Sequence, residues 1–388
     1  MEKPKIRFLK NKHSWVRNTF EEIAKRRTKS SDNPDLPRIE YQDIISGEGR
    51  LNKNLNKNID CRKGIVFETN DILYGKLRPY LKNWLHPNFN GIALGDFWVL
   101  QARNCDSKFL FSLVQSPKFQ RVANDTSGTK MPRSDWKTVS QTEFSIPTSN
   151  DEQSAIGSLF RTLDDLLASY KENLANYQSL KRTMLSKMFP KAGQTVPEIR
   201  LDGFEGEWTK KRADEIFKSV SEKNRASLPV LSASQIDGMV LRDEIGIDIK
   251  YDEAALNNYK VVKPGQFVIH LRSFQGGFAL SKLEGITSPA YTIIDFIDKK
   301  NNIPDFWNSI LTSRDFIKRL ETVTFGIRDG KSISFKDFSS LKFVYPSLEE
   351  QQAIGTYFSN LDNLIAAHQE KISQLETLKK KLLQDMFI

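Results

Sequence analysis

The sequence predicts an α+β chain in which two globular regions alternate with two long helices. Three observations carry this. A 38-residue segment occurs twice, each copy has apolar residues at heptad spacing, and the stretches outside the copies hold short β-rich runs. The first copy, EQSAIGSLFRTLDDLLASYKENLANYQSLKRTMLSKMF, opens at Glu152. The second, EQQAIGTYFSNLDNLIAAHQEKISQLETLKKKLLQDMF, opens at Glu350. They align without a gap at an offset of 198, and 16 positions are identical, among them Ala155/Ala353, Ile156/Ile354, Gly157/Gly355, Phe160/Phe358 and Asp164/Asp362.

Each copy reads as one helix. In the first, apolar residues fall at Ile156, Phe160, Leu163, Leu167, Tyr170, Leu174 and Tyr177, alternating steps of 4 and 3. The second places Ile354, Phe358, Leu361, Ile365, His368, Ile372 and Leu375 in the same register. That spacing makes a coiled-coil seam, and identical registers favour pairing of the two helices with each other over packing of each on its own domain. Leu166, Leu180, Leu364 and Leu378 widen the stripe, and neither copy contains an interior proline. At 1.5 Å per residue each helix would run roughly 57 Å. Pro147 and Pro346 precede the helices and Pro190 follows the first, as boundary signals.

The flanking regions repeat more weakly. Pro4–Phe8 resembles Pro197–Leu201, and Trp15 and Trp208 each stand nine residues after the matching isoleucine. Gly64–Phe67, Asp71–Tyr74, Phe97–Leu100, Gln266–Ile269 and Tyr291–Ile294 read as strands. Phe109–Gln120 and Asp305–Leu320 read as helical patches, and Trp15 and Trp208 as core anchors. The expected organisation is a globular domain over 1–148, a helix over 149–190, a linker over 191–198, a second domain over 199–347 and a second helix over 348–388.

Of the formal net charge of +10, residues 1–148 carry all of it, with 26 basic against 16 acidic side chains, whereas residues 197–347 carry 22 against 21. That segregation points to a polyanionic partner for the first domain. Two distant cysteines, Cys61 and Cys105, and four scattered histidines, His13, His86, His270 and His368, offer neither a disulfide framework nor a metal cluster. No apolar run approaches the roughly 20 residues of a membrane helix, and the basic N-terminus lacks an apolar signal core. A cytoplasmic protein is expected. No phosphate-binding glycine loop or methyltransferase motif stands in the chain, and Asp248 with Lys250 is too little for a nuclease core, so no catalytic residue is nominated.

The two E-Q-x-A-I-G openings carry a family resemblance. So do the Met188-Phe189-Pro190 helix end and the Pro197-Glu198-Ile199-Arg200-Leu201 stretch with Gly203-Phe204, Gly206-Glu207-Trp208 after it. Asp71–Tyr80 and Gly128–Pro132 add to it. In this combination and order the chain closely resembles, over essentially its whole length, the specificity subunit of type I restriction-modification enzymes. The resemblance implies two target recognition domains, each reading half of a bipartite, asymmetric double-stranded DNA site. It implies that the helices pair as an antiparallel coiled coil with internal pseudo-twofold symmetry, set the gap between half-sites, and dock two modification subunits. Restriction subunits would join them. Chemistry would reside on the partners, which would carry S-adenosylmethionine, ATP and Mg, so the chain itself would be no enzyme. A stand-alone DNA-binding protein and a coiled-coil adaptor without DNA are the competing readings.

Groove recognition needs side chains whose donors match base edges, and phosphate contact needs cations or hydroxyls. In the first domain Lys76, Arg78 and Tyr80 follow a strand and flank a turn, and Thr129, Lys130 and Arg133 lie on a polar, basic loop. In the second, Arg272 and Gln275 stand near the position of Lys76 to Arg78, and Arg328 and Lys331 where the second loop falls. The basic run Lys25 to Lys29 reads as a solvated element end, the alternating Asn52 to Asn58 stretch as a loop. Asp164, Glu172, Asp362 and Glu370 are expected on outer faces of the helices, available to a partner.

Overall fold

The computed structural model describes residues 4–8, 14–52, 62–125, 130–234, 237–245, 253–269, 277–323 and 334–387. The repeated segments form two uninterrupted helices, Asn150–Lys187 and Leu348–Met386. The chain divides into two compact units whose boundaries fall inside these helices: residues 1–174 with 368–388, and residues 175–367. Each unit therefore holds one globular region and part of each helix.

In the first unit, strands Ala24–Arg26, Phe97–Ala102, Ile72–Gly75 and Trp84–Leu85 pair antiparallel in that order. A second sheet orders Ser30–Ser31, Gly64–Phe67, Gly91–Ala93 and Arg38–Ile39, the last two parallel. Trp15–Thr19 and Glu143–Pro147 form an antiparallel ribbon at the root of the helix. The second unit repeats the plan. Phe217–Val220, Thr292–Phe296, Phe267–Ile269 and Phe278–Leu280 make the matching four-stranded sheet. Thr209–Arg212 with Lys342–Tyr345 makes the ribbon. The expected strands form within a residue or two of their predicted bounds. The two helical patches each divide in two, Ser107–Gln115 with Pro117–Ala123 and Pro304–Leu311 with Arg314–Val323. Ser116 ends one helix and caps the next, its hydroxyl accepting from Phe119 N, while Pro117 fits only a first helical turn.

The cores join sheet, short helices and long helices. In the first unit Phe20, Tyr74, Phe109 and Phe119 pack with Ile156, Phe160, Leu163 and Leu167 of one long helix and Leu375, Met386 and Phe387 at the end of the other. In the second, Phe217, Phe267, Phe306 and Trp307 pack with Met188, Ile354 and Phe358. Trp15 and Trp208 are buried, as anchors should be.

The repeated E-Q-x-A-I-G opening becomes intelligible at this junction. Glu152 is fully buried, and Arg7 grips it with Nε to Oε1 at 2.6 Å and Nη2 to Oε2 at 2.7 Å. Glu350 is held the same way by Arg200, at 2.8 and 2.7 Å. Each glutamine clamps domain to helix: Gln153 accepts from Asp106 N at 2.7 Å and donates to Pro147 O at 2.8 Å. Gln351 accepts from Ile303 N at 3.2 Å and donates to Pro346 O at 3.1 Å. The glycine allows close approach, since a Cβ at Gly157 would lie 2.6 Å from Phe109 N and one at Gly355 2.9 Å from Phe306 N. The arms that carry the arginines are held by backbone bonds. Lys5 N and Ile6 N donate to Asp385 O, and Ile199 N donates to Lys187 O, matched residues in both cases.

At the tryptophan the copies differ: Trp15 Nε1 donates to Glu152 Oε1 at 3.3 Å, whereas buried Trp208 Nε1 finds no acceptor.

Removing one partner of a buried bidentate pair leaves an uncompensated charge, which costs about 3–5 kcal/mol. Arg7→Met should therefore lower the unfolding free energy of the chain by about that much in denaturant titration. Substituting the exposed Arg17, whose 3.9 Å contact with Glu143 is solvated, should change it by less than about 1 kcal/mol.

Candidate nucleic-acid interface

The basic loops of the first unit grow from the strand Ile72–Gly75. Gly75 N donates to Asn83 O at 2.7 Å, and a Cβ there would meet that same oxygen at 2.9 Å. The chain then turns through Pro79–Leu81, with Arg78 and Lys82 both in the left-handed region at φ 50° and 55°. Non-glycine residues held there are uncommon and cost energy, so surrounding contacts must fix them. They do. Leu77 bridges Arg133 antiparallel, Arg78 N donates to Pro132 O at 2.7 Å, and Ser134 N donates to Lys76 O at 2.8 Å. Two loops 50 residues apart in sequence thus form one surface.

Asp96 ties it to the sheet. Its carbonyl accepts from Lys76 N at 2.9 Å and from the Tyr41 hydroxyl at 2.6 Å. Its carboxylate meets Lys76 Nζ at 3.5 Å and Arg133 Nη2 at 2.9 Å. Burial pushes the Tyr41 hydroxyl up to about 12, so it remains a donor at physiological pH. Outward stand Arg78, Tyr80, Lys130 and Met131, all exposed.

Of the nominated contacts, Lys76, Arg78, Tyr80, Lys130 and Arg133 come together on this surface. Thr129, Arg272, Gln275, Arg328 and Lys331 lie outside the described residues, as do Asp248 and Lys250. Two elements escaped sequence reading. Asp96 precedes a strand with nothing in its neighbours to mark a bridge, and Tyr41 reaches it from 55 residues away. The basic run at 25–29 is partly structural: Arg27 pairs with Glu68 and Asp71, each at 2.7 Å, and the Arg26 guanidinium lies 5.1 Å from the Trp136 ring centre. Among the described residues no group of three or more His, Cys, Asp or Glu could hold a metal ion. Nor is any helix there long and apolar enough to cross a membrane.

The helix faces correct one expectation. Asp164 does not look outward: its carboxylate meets Lys379 Nζ at 2.5 Å, with both side chains largely buried, and Lys379 also donates to Gln115 Oε1 at 2.8 Å. Burial raises the Asp164 pKa even against the Lys379 charge. Asp362 likewise pairs with Lys181. An aspartate beside the seam is the natural partner for a lysine that falls on it, which heptad counting of apolar residues alone passes over. Lys171 joins Glu376 at 2.8 Å and Glu48 at 3.1 Å. Burial opposes the charged form of Glu48, and the bonds from Arg50 and Lys171 outweigh it, leaving its pKa below the usual value. Glu172 and Glu370 are exposed as expected. The seam residues are buried from Ile156 to Leu167 and half-buried from Tyr170 to Tyr177, where the packing is helix against helix.

Exposed ion pairs contribute little to stability, so Asp96→Asn should shift unfolding by no more than about 1 kcal/mol. The substitution should instead loosen the two loops, read as faster amide exchange at Arg78 and Ser134. Unchanged exchange there would remove Asp96 from its positioning role.

Residues 205–377 match the type I restriction modification DNA specificity domain. The chain is 25% identical over 350 residues to the type I restriction enzyme MjaVIII specificity subunit of Methanocaldococcus jannaschii, covering 83% of this chain and 79% of that one. It is 25% identical over 189 residues to the type I restriction enzyme EcoDI specificity subunit of Escherichia coli, covering 47% and 42%. Its fold is shared with the crystal structure of a type I restriction-modification system S subunit from M. genitalium, at a TM-score of 0.65 and 15% identity, over 100% of this chain and 99% of the other. The matched domain lies in the second half, the repeat carries the same helix-opening motif through the first, and the relationship to MjaVIII spans both. Residues 205–377 thus match the type I restriction modification DNA specificity domain, and over most of its length the chain is similar to a type I restriction enzyme specificity subunit.

Proposed function

We propose that this chain reads a bipartite, asymmetric double-stranded DNA site, one half with each globular domain, and that its two long helices set the spacing. The observation that carries the reading is the convergence of Lys76, Arg78, Tyr80, Lys130 and Arg133 on one surface of the domain that holds the whole net positive charge. Phosphate attraction supplies most of the sequence-independent affinity, and Arg78 and Lys130, turned outward, are placed to provide it or to meet base edges. The corresponding contacts in the second domain would come from Arg272, Gln275, Arg328 and Lys331. The chemistry belongs to partners: two modification subunits with S-adenosylmethionine, and restriction subunits with ATP and Mg.

The helices supply docking faces. Leu166 and Leu378 are 42% and 44% exposed within the first unit, and Leu180 and Leu364 are 38% and 43% exposed within the second. In each pair the two leucines hold the same heptad position beside the seam. Exposed apolar residues repeated in register suit burial against a partner helix. This assigns docking to leucines flanking the seam rather than to Asp164 and Asp362, which are taken up in ion pairs.

The chain co-expressed with its modification subunit should methylate adenine at one split motif, mapped by sequencing the host DNA. Exchanging residues 1–148 for those of a relative should change one half of the motif and leave the other and the spacing intact. Tight, specific binding by the isolated chain, with no modification partner, would favour the stand-alone reading. Leu166→Glu with Leu378→Glu should weaken assembly with modification subunits at least tenfold in sedimentation or calorimetry while the chain melts as before.

A further inference from the structure

Apolar exposure in the first domain is concentrated at its basic loops. Among described residues 14–148, four large apolar side chains are exposed: Val16, Tyr80, Leu81 and Met131. Three of the four stand on the surface built by Asp96. Tyr80 and Met131 are the most exposed, at 56% and 55%. The turn that carries Tyr80 is held between two left-handed residues, Arg78 and Lys82. The bond from Arg78 N to Pro132 O sets Met131 beside that turn. Lys76 and Arg133, on the same surface, share one carboxylate and so retain a single net charge between them. The tip therefore presents apolar side chains among basic ones, on loops joined by backbone bonds.

We propose that Tyr80 and Met131 are specificity-determining residues that pack on thymine 5-methyl groups in the half-site read by the first domain. The inference rests on the DNA-reading function proposed above and adds the kind of base that this surface selects. The physical argument is one of complementarity. Base-pair edges in the major groove offer hydrogen-bonding groups and one apolar group, the thymine methyl. Arginine and lysine serve the former. The Tyr80 hydroxyl can serve a hydrogen-bonding group as well, but its ring and the Met131 thioether side chain are apolar surface that matches a methyl group and loses water contact on meeting it. Rigid presentation matters, because a knob ordered before binding loses little freedom on binding.

The test replaces thymine by uracil, which removes the methyl and leaves the hydrogen-bonding edge unchanged. The full chain assembled with its modification subunits first selects its target from random duplexes. Thymines of the first half-site are then replaced singly by deoxyuridine. One position should weaken wild-type binding about fourfold, the value of one buried methyl group. Tyr80→Ala/Met131→Ala, whose exposed sites should leave the melting curve unchanged, should bind thymine and uracil duplexes equally at that position. Failure to select any split motif would sink the DNA-reading function and this proposal with it. A split motif without an A·T pair in its first half, or a wild-type complex indifferent to uracil, would overturn this proposal alone. So would a double variant as sensitive to uracil as the wild type. If the complex bends DNA while ignoring the methyl, the knob is a wedge between base steps and the thymine assignment is wrong.

Discussion

A carboxylate shut away from water is tenable only when cationic donors meet both of its oxygens, and this chain builds that arrangement twice. Glu152 and Glu350 sit in the first turn of the long helices, and Arg7 and Arg200 reach them from short arms that precede each globular domain in sequence. Much else follows from the pairing. The arm is held at the helix end by backbone bonds to Asp385 or Lys187, and the tryptophan after it enters the domain core. The neighbouring glutamine then bonds the domain backbone, and the glycine one turn on lets the helix approach a second helix N-terminus at near-contact distance. Three residues of a six-residue motif thus fix how domain, arm and helix meet.

The loop surface around Asp96 uses charge in a second way. Placing five polar or cationic residues on one tip invites self-repulsion, and Asp96 relieves it by holding Lys76 and Arg133 against one carboxylate. The cost is that these two side chains are less available to a ligand. The division of labour that results is physical: Lys76 and Arg133 support, Arg78 and Lys130 face outward with their charge, and Tyr80 and Met131 add apolar surface. Tyr41, half-buried and with its pKa pushed up to about 12, completes the support as a neutral donor to the same residue's carbonyl.

The long helices were legible because period and repetition are local properties. Alternating steps of 4 and 3 named the seam from Ile156 to Leu375, and the identical registers said that the helices pair. Strands such as Phe97–Ala102 were legible from β-branched and aromatic runs. Asp96, Tyr41 and the lysines on the seam were not. Each acts through a partner far along the chain, Asp164 with Lys379 being 215 residues apart, and composition carries no trace of such a pairing. Counting apolar positions placed Asp164 outside because the seam pattern treats every charge as solvated. A lysine that falls on the seam itself, as Lys379 and Lys181 do, is the local sign that a carboxylate must come inward. Lys76 to Tyr80 and Lys130 to Arg133 were nominated from a turn and a basic loop, but their junction across Leu77 and Arg133 depends on strand pairing that no local pattern encodes.

The two units share this junction and then diverge. In the first, Lys379 bonds Gln115 and Lys171 bonds Glu48, so both long helices are fastened to the globular region by polar side chains. The repeat puts Thr312 where Gln115 stands, and its hydroxyl turns back to Asn308 O. It puts Gln369, with no charge, where Lys171 stands. Lys181 retains its aspartate across the helix pair. The features kept in both copies are therefore those that join helix to helix and helix to domain root, while the lateral fastenings occur where the domain also carries the chain's excess positive charge. A common frame with separately adjustable flanks is what a protein needs if its two halves are to read different sequences. The frame must be the same for the two helices to pair in register, whereas nothing in that pairing requires the flanks to match.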